Sequence, residues 1–301
     1  MTGSPARIRH KGVVSIHRSS YNQITEELTA SIDKLLCTDM HDEWIGVQVD
    51  IAMNANKEMP AVFMAEHNGQ ITGMVYLFAP TTAEIEINAF VHPDHRQQGV
   101  FKALLKDALA GSSAFGYKKG LFVVSSGTAA GIMEHWGCAE HHAELKMQCV
   151  IGSSAKDDAD IRLATMGELA ELSALGALIF ESEESEESEL IKNSISDESR
   201  ALYVLYKDGK KIGMCGTVRE DDGLMIYGFG VRPEMRRAGC GRTMLKFLQR
   251  EAVSQQLSKL YLEVDENNHA AKALYESFGF TVQKKISYFE FSFDRLLEKL
   301  G

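Results

Sequence analysis

VRPEMRRAGCG at residues 231–241 and VHPDHRQQGVF at residues 91–101 are the two stretches that decide the organisation of this chain. They are related by an offset of 140 residues, which also relates Gly69 to Gly209 and Gly73 to Gly213. A repeat of that length has the size of a domain rather than of a solenoid unit. The sequence therefore predicts two similar domains in tandem, with the chemistry in the repeated stretch.

Composition and charge narrow the class of protein. The 301 residues are 45% hydrophobic and 25% charged, which suits two ordinary cores and lacks the bias of disordered or fibrous chains. The formal net charge of −10 disfavours nucleic acid and anionic membranes as partners, because both bind basic faces. The start, MTGSPARIRHKGVV, lacks the apolar segment of a secretory signal, and no apolar run has membrane-spanning length. We expect a cytoplasmic protein.

The spacing of the cysteines and histidines predicts neither disulfides nor a metal site. The cysteines are odd in number, scattered, and without CxxC spacing, which argues against a disulfide framework and a zinc site. The histidines, including the pair His141 and His142, also lack the spacing of metal ligands. We therefore expect no metal site and free thiols at Cys37, Cys138, Cys149, Cys215 and Cys240.

The sequence around each repeat predicts the same series of elements in both halves. Apolar stretches flank Asn68-Gly69 and Asp208-Gly209, and both dipeptides suit the positive φ angles of a tight hairpin. A strand, the repeated loop, a helix, a strand, a short helix ending in glycine and a final strand follow. The polar stretch GSSAKDDAD at residues 152–160 predicts a linker. We expect domains at residues 1–151 and 160–301, each with its own core.

The glycine-rich loop predicts anion binding. In residues 231–241 the pattern R/QxxGxG/A follows a strand and runs directly into a helix. Glycines let the backbone approach a ligand closely, and the first amides of a helix lack partners and lie at the positive end of its dipole. A plain strand-to-helix turn is the competing interpretation of one such loop. The second copy and the downstream block LEVDENNHAAKALYESFGF at residues 262–280 favour phosphate binding.

Together, the loop and the downstream block resemble the GNAT N-acetyltransferase superfamily, and the resemblance covers nearly the whole chain as a tandem pair. It implies a mixed α/β (α+β) fold in which each domain has a mostly antiparallel twisted sheet flanked by helices. Strands four and five would splay around an acetyl-CoA cleft, with acetyl-CoA as co-substrate of an acyltransferase. The implied cofactor-binding residues are Val231, beside the pantetheine arm, the backbone of Arg236, Arg237, Ala238, Gly239, Cys240 and Gly241 at the pyrophosphate, and Asn268.

The same resemblance assigns Tyr275 as the acid that protonates the departing thiolate; a packed core tyrosine is the competing interpretation. Direct attack of an amine on a thioester needs alignment, a donor near the carbonyl oxygen, a route for the amine proton and such an acid. A phenol with a pKa near 10 suits a thiol leaving group. The strand LMIYGFGV holds no carboxylate, so water, Glu263 or Asp265 remain as candidate bases. Solvated or paired roles are the alternative for both carboxylates.

The first half lacks several of the residues that carry the resemblance in the second half. Phe101 stands where the second half has Gly241, Met133 falls opposite Tyr275, and SSGTAAG replaces the asparagine segment. Glu84 and Glu86 share a face of a strand and are either a residual base or residues with structural or surface roles. Tandem relatives such as mycothiol synthase suggest that the second half catalyses and the first supports it. We would then expect a purified second domain to keep residual turnover.

An acidic run, ESEESEESE at residues 181–189, bears on the acceptor. In the family, the connection between the first two helices borders the acceptor pocket, so a cationic amine would be attracted there. A solvated acidic loop is the competing interpretation. The sequence thus predicts acetyl transfer to a primary amine, as a small molecule. A CoA-binding regulatory protein without turnover, or a tandem acyl or aminoacyl transferase with another donor, remain as alternatives.

Overall fold

The computed structural model describes residues 17–38, 49, 51–125, 127–152, 159–220 and 222–301. Most of the predicted linker and the amino-terminal stretch that lacks a signal lie outside these residues. The first half contains the strands and helices β1 (His17–Tyr21), α1 (Glu26–Leu36), β2 (Val62–His67), β3 (Gln70–Phe78), β4 (Ile85–Val91), α2 (Val100–Ser113), β5 (Lys119–Val124), α3 (Gly127–His135) and β6 (Ala139–Val150).

The second half repeats the series from the first hairpin onward. Its elements are β7 (Asp160–Leu163), α4 (Leu169–Phe180), α5 (Glu184–Ser196), β8 (Arg200–Lys207), β9 (Lys210–Glu220), β10 (Gly223–Val231), α6 (Cys240–Ser254), β11 (Lys259–Asp265), α7 (His269–Phe278), β12 (Thr281–Ser292) and α8 (Phe293–Leu300). Two of its helices, α5 and α8, have no counterpart among the described residues of the first half.

The predicted hairpin turns are present. Asn68 and Gly69 have φ angles of 52° and 75°, and Asp208 and Gly209 have 49° and 73°. Two consecutive positive φ angles give a turn whose twist matches that of the flanking strands. The turns join β2 to β3 and β8 to β9 as antiparallel pairs.

The two halves form one sheet, and their last strands are exchanged. The strand order is β1-β2-β3-β4-β5-β12-β6-β11-β10-β9-β8-β7. β6 of the first half pairs with β11 of the second, while β12 of the second half pairs with β5 of the first. The exchanged strands also pair with each other along most of their length. Each half therefore supplies the strand that completes the sheet of the other.

The exchange changes the expected cores. Phe289 and Phe291 of β12 pack in the core of the first half, whereas Leu145 and Met147 of β6 pack in that of the second. Each half has a separate core cluster, but each cluster includes side chains of the strand that the other half contributes. Strand periodicity determines which face a side chain occupies, but not which strand lies beside it. The boundary at residues 151–160 remains a prediction.

The sheet has two differently covered faces. On the face that we call face B, α2, α3 and α8 pack on the first half, and α6 and α7 pack on the second. On the opposite face, face A, α1 covers the first half and α4 and α5 cover the second. Between those two covers, a small cluster of Leu121, Val123, Ile286 and Tyr288 lies at the centre of face A. The repeated loops begin the helices α2 and α6 of face B.

Candidate functional site

The loop that follows β10 has the backbone of an anion-binding site. A 3-10 turn at Pro233–Met235 leads to Arg237 and Gly239, whose φ angles are 62° and 83°. Gly239 is the N-cap of α6, and a Cβ atom built on it meets nothing within 4 Å. The first amides of α6 lack partners within the helix and lie at the positive end of its dipole. This geometry fits the phosphate-binding role predicted for the loop.

The loop of the first half has the same conformation. Gln97 and Gly99 have φ angles of 59° and 80°, and Gly99 is the N-cap of α2. Arg96 and Arg236 both follow a 3-10 turn in extended conformation, with φ and ψ of −66° and 157°, and −63° and 150°. The two arginines thus occupy equivalent strand-to-helix loops, as the repeat predicted.

Arg236 also anchors the loop to α4. Its Nη2 donates a hydrogen bond of 3.2 Å to the carbonyl oxygen of Ile179, near the carboxyl-terminal end of that helix. Arg232 donates from Nε to the carbonyl oxygen of Lys211 at 3.0 Å. Cations are favourable at the carboxyl-terminal end of a helix. The guanidinium of Arg236 thus holds the loop against the sheet, while backbone amides remain available for a ligand.

The strands beside this loop separate. β10 and β11 pair in parallel only from Gly223 to Ile226 on β10. Beyond that point, a bulge between Tyr227 and Gly230, with Gly228 at a φ of 53°, shifts the register of β10 against β9. A bulge bends its strand and leaves backbone groups without ladder partners. The remaining residues of β10, including Val231, do not pair with β11, so the two strands diverge toward the loop.

Tyr275 lies beside this end of β10 and is 5% exposed. Its ring centroid is 5.9 Å from that of Phe229 on β10 and 5.6 Å from that of Phe280. Burial raises the pKa of Tyr275 above its usual range. The phenol consequently keeps its proton throughout the neutral range, where it is available as a proton donor.

The other residues that the sequence predicts to bind the cofactor cap a helix, allow close packing, or lie in the core or the loop. Asn268 is the N-cap of α7, and its Oδ1 accepts a hydrogen bond of 3.1 Å from the amide of Ala271. Gly241 lies where a Cβ atom would be 2.9 Å from Cδ2 of Leu274, so it permits close packing of α6 on α7. Cys240 is buried in the second core, whereas Ala238 is exposed in the loop. These tasks are compatible with ligand binding by the backbone.

The first half contains an open cleft that the sequence did not reveal. β4 and β5 pair only from Ile85 to Ile87 on β4, and the strands then diverge around a cavity of about 440 Å³. Phe101 stacks on Trp136 at a centroid distance of 5.6 Å, which keeps this ring against the cavity wall. Met133 lines the cavity at the position that corresponds to Tyr275. Replacement of a loop glycine by Phe101 has therefore left the cleft open.

The four carboxylates considered as bases divide into two kinds. Glu84 forms an ion pair of 3.5 Å with Lys119, and Asp265 accepts a 2.7 Å hydrogen bond from the amide of Asn267. Those two have structural roles. Burial, followed by repulsion from neighbouring glutamates, raises the pKa of Glu86 to about 8 and that of Glu263 to about 7. A carboxylate with a pKa near neutrality suits a general base.

Most of the acidic run, residues 184–189, lies on a helix and not in a loop. α4 ends at Phe180 with Glu181 as its C-cap at a φ of 58°, and α5 begins at Glu184. Glu187 is buried, and its Oε1 accepts a 2.7 Å hydrogen bond from Ser182 Oγ. Glutamates stabilise the first turn of a helix through its dipole. The loop interpretation is therefore wrong for residues 184–189.

The described residues also bear on metal sites, disulfides and membrane-spanning helices. Within those residues, no group of three or more His, Cys, Asp or Glu side chains could hold a metal ion. His142 stacks on Tyr288 at a centroid distance of 4.3 Å. The five cysteines are free thiols. None of the helices that the structure describes is long and apolar enough to cross a membrane.

Comparison with known proteins finds the same family in both halves. A model of the acetyltransferase (GNAT) family matches residues 24–133 and 168–280. The ribosomal protein bS18 alanine N-acetyltransferase of Escherichia coli strain K12 is 36% identical over 78 residues, which is 26% of this chain and 53% of that protein. A putative enzyme of the same name from Bacillus subtilis strain 168 is 33% identical over 76 residues, 25% of this chain and 50% of that protein. The matches thus span about half the length of these relatives.

Two solved structures resemble the entire fold. A tandem GNAT protein from the clavulanic acid biosynthesis pathway has a TM-score of 0.72 at 11% identity, covering 93% of this chain and 99% of that one. A GCN5-related N-acetyltransferase from Sphaerobacter thermophilus has a TM-score of 0.69 at 14% identity, covering 92% and 96%. At such identities the likeness concerns the fold alone.

Proposed function

Because this chain belongs to the acetyltransferase (GNAT) family, we propose that its second half transfers an acetyl group from acetyl-CoA to a small primary amine. The relationship, the tandem fold and the acyltransferase class predicted from the two motifs are confirmed by the family match and by the solved tandem structure. The donor, the acceptor and the residue roles are our proposal. We also propose a cytoplasmic location, on the sequence grounds given above.

The observation that best supports this proposal is the arrangement of residues at the end of β10 in the second half. The bulge of β10, the loop with Gly239 in left-handed conformation, and Tyr275, whose ring contacts Phe229, all lie at the carboxyl-terminal end of β10. Acetyl-CoA would supply the activated thioester at this place. Backbone amides of residues 236–241 would bind its pyrophosphate, Val231 its pantetheine arm, and Asn268 would hold the start of α7 beside it.

The residues of the chain would then perform the proton transfers. Glu263, with its raised pKa, would accept a proton from the incoming ammonium group, which leaves a neutral amine for direct attack. Tyr275 would donate a proton at its Oη to the departing thiolate. The unpaired backbone of β10 would align the reacting groups, because alignment removes most of the entropic barrier.

Release of free thiol from acetyl-CoA with a panel of amines tests this function. We expect thiol release that depends on the amine, with a mass increase of one acetyl group on the amine. Acetyl-CoA binding without turnover would instead support a CoA-binding regulatory protein. Turnover only with another acyl or aminoacyl donor would support a different tandem transferase.

The panel also has to separate two kinds of acceptor. The names of the bacterial relatives describe acetylation of an alanine of a ribosomal protein. A peptide with an amino-terminal alanine therefore belongs beside small diamines and monoamines. Preference for that peptide over every small amine would replace the small-molecule acceptor by a protein terminus.

Replacing Gly239 by valine is expected to weaken acetyl-CoA binding by about 1–3 kcal/mol, because the amide donors would no longer meet the pyrophosphate. A side chain at a φ of 83° is strained, so the loop backbone has to change. Calorimetric titration of the folded variant measures the effect. Gly99→Val is the matched control, since it places the same strain in the equivalent loop of the first half. Unchanged affinity in Gly239→Val, or an equal loss in both, would contradict the assignment.

Neutralising the exposed glutamates of the acidic run is expected to raise the Michaelis constant for a cationic amine severalfold at low salt. Glu183, Glu184 and Glu186 are exposed at the start of α5, so their replacement by Gln leaves the buried Glu187 in place. Exposed charges act over about 8–10 Å at physiological ionic strength, and the difference should disappear at high salt. Steady-state kinetics at two salt concentrations measures it. Identical constants at low salt would leave this segment without a role in steering.

A further inference from the structure

The bulge of β10 distinguishes the second half from the first. β10 pairs with β11, and β4 with β5, only at the start of each strand, so divergence is common to both halves. β4 pairs with β3 without a register shift. On β10, however, Tyr227 lies opposite Gly216 and Gly230 lies opposite Met214, which leaves one more residue on β10 than on β9. The bulge, and not the divergence, therefore sets the second half apart.

The residues of the bulge determine its position only weakly. Gly228 and Phe229 have no partner on β9, and Gly230 follows them. Strands that are rich in glycine are prone to slippage of their register, because few side chains pack against it. Gly228, at a φ of 53°, is also exposed. An anchor outside these residues is needed to keep the bulge in one place.

The ring of Tyr227 lies where a side chain is missing on the neighbouring strand. A Cβ atom built on Gly216, directly opposite on β9, would overlap Cε2 and Cζ of Tyr227. The ring can lie against the backbone of β9 only because residue 216 is glycine. In the first half the equivalent pair is Tyr76 on β3 and Asn88 on β4. The first half therefore has no such space for a ring of β4.

Two side chains on face A hold the ring from the other side. Tyr227 donates from Oη to Oγ of Ser194 on α5 at 3.2 Å, and Ser194 is buried. The guanidinium carbon of Arg200 lies 5.1 Å from the ring centroid, and Nε of Arg200 donates to Oδ2 of Asp197 at 3.3 Å. A guanidinium over an aromatic face is attracted by the ring, most strongly where water is excluded. Tyr227 is thus clamped between β9 and the end of α5.

We propose that Tyr227 is a positioning residue that keeps the bulge of β10 in register, and thereby holds the backbone of Gly228 and Phe229 where acetyl-CoA would be aligned for attack. This rests on the proposed function for the identity of that ligand. The tyrosine acts through the backbone that follows it. The first half has Tyr76 in place of the glycine and no bulge on β4, so it lacks this clamp. The difference gives a physical reason for catalysis by the second half.

Tyr227→Leu and Gly216→Ala test the proposal, because the first removes the ring and the second fills its space. Each is expected to lower kcat for amine acetylation about tenfold or more through lost alignment. The Kd of acetyl-CoA, measured by calorimetry, should change less than about twofold, since the loop at Gly239 lies outside the clamp. Tyr227→Phe keeps the ring between Gly216 and Arg200 and should retain kcat within about threefold of the wild type. Wild-type kcat in both Tyr227→Leu and Gly216→Ala overturns the proposal.

A double variant separates one clamp from two independent effects. Gly216→Ala combined with Tyr227→Leu should be no slower than the slower single variant, because both changes remove the same contact. Losses that multiply would mean that the two residues act separately, which overturns the clamp. Thermal unfolding verifies that each variant is folded. If Gly216→Ala does not fold, Tyr227→Leu carries the test, since it introduces no overlap.

Tyr261→Leu is the matched control. The ring of Tyr261 also lies beside a glycine, since a Cβ atom built on Gly223 would be 2.6 Å from its Cε2, but this contact is at the start of β10 and away from the bulge. Its hydroxyl donates to Oδ1 of Asp222 at 2.7 Å. The variant should lose stability and keep the kcat of the wild type. A loss of kcat equal to that of Tyr227→Leu would make the effect one of general destabilisation and overturn the role of Tyr227.

Amide hydrogen exchange over residues 226–231 tests the clamp without any turnover. We expect exchange there to be about tenfold or more faster in Tyr227→Leu and Gly216→Ala than in the wild type and Tyr261→Leu, because a mobile bulge opens the neighbouring ladder bonds. Unchanged exchange overturns the clamp even if acetylation is observed. Faster exchange in a protein that acetylates no amine leaves the clamp standing and removes the proposed function.

Discussion

Tyr275→Phe is expected to lower turnover by about 10²-fold or more while the protein stays folded. The ring packs between Phe229 and Phe280, and phenylalanine preserves that packing. The hydroxyl, whose pKa burial raises, is the only part that is lost. Steady-state kinetics with the acceptor found in the amine panel measures the effect, and thermal unfolding measures the stability.

Met133→Leu is the matched control for Tyr275→Phe. Met133 is the buried counterpart of Tyr275 in the first half, and leucine has a similar volume. Its activity should equal that of the wild type. Full activity in Tyr275→Phe would mean that water or another residue protonates the thiolate, or that the cleft of the first half catalyses. Loss of activity in Met133→Leu would favour that first cleft directly.

A fragment that begins at residue 152 is not expected to fold. This prediction replaces the expectation, made from the sequence, that the second domain alone would keep residual turnover. It would lack β6, which lies between β11 and β12, and β5, the other neighbour of β12. Leu145, Met147 and Cys149 would be missing from the second core. Loss of each large core side chain costs about 2–5 kcal/mol, and typical domains are stable by only about 5–15 kcal/mol. Circular dichroism and amide exchange of the purified fragment measure this.

Two fragments produced together, residues 1–152 and 153–301, are expected to associate into an active complex. Each fragment would regain from the other the strand that completes its sheet. Co-purification of the two fragments and recovery of amine-dependent thiol release measure the association. A second fragment that is folded and active alone would contradict the importance of the exchange.

Local features of the fold were predictable because neighbours in sequence determine them. Asn68-Gly69 and Asp208-Gly209 encode their turns through positive φ angles, and Gly239 encodes the start of α6 in the same way. The candidate site was predictable to the extent that it lies in one continuous segment, from the loop to Tyr275. The roles of those residues remain predictions.

The other features depend on strand neighbours that are distant in sequence. Alternation along β6 and β12 shows which side chains are buried, but Glu144 and Tyr288, 144 residues apart, become partners only through the exchange. The open cleft of the first half could not be recognised from Phe101, because its stacking on Trp136 is a tertiary contact. Glu86 and Glu263 were visible as candidates, yet their raised pKa values require the burial that the assembled sheet produces.

The exchanged strands also determine when the protein can complete its folding during synthesis. The first half leaves the ribosome with β5 exposed at an edge and β6 without a neighbour, because β11 and β12 begin only at Lys259 and Thr281. Contacts over such sequence separations form slowly, since the loop entropy is lost before they stabilise the chain. Unpaired strand edges are also sites of aggregation. The two halves must therefore stay partly folded until β12 has been made.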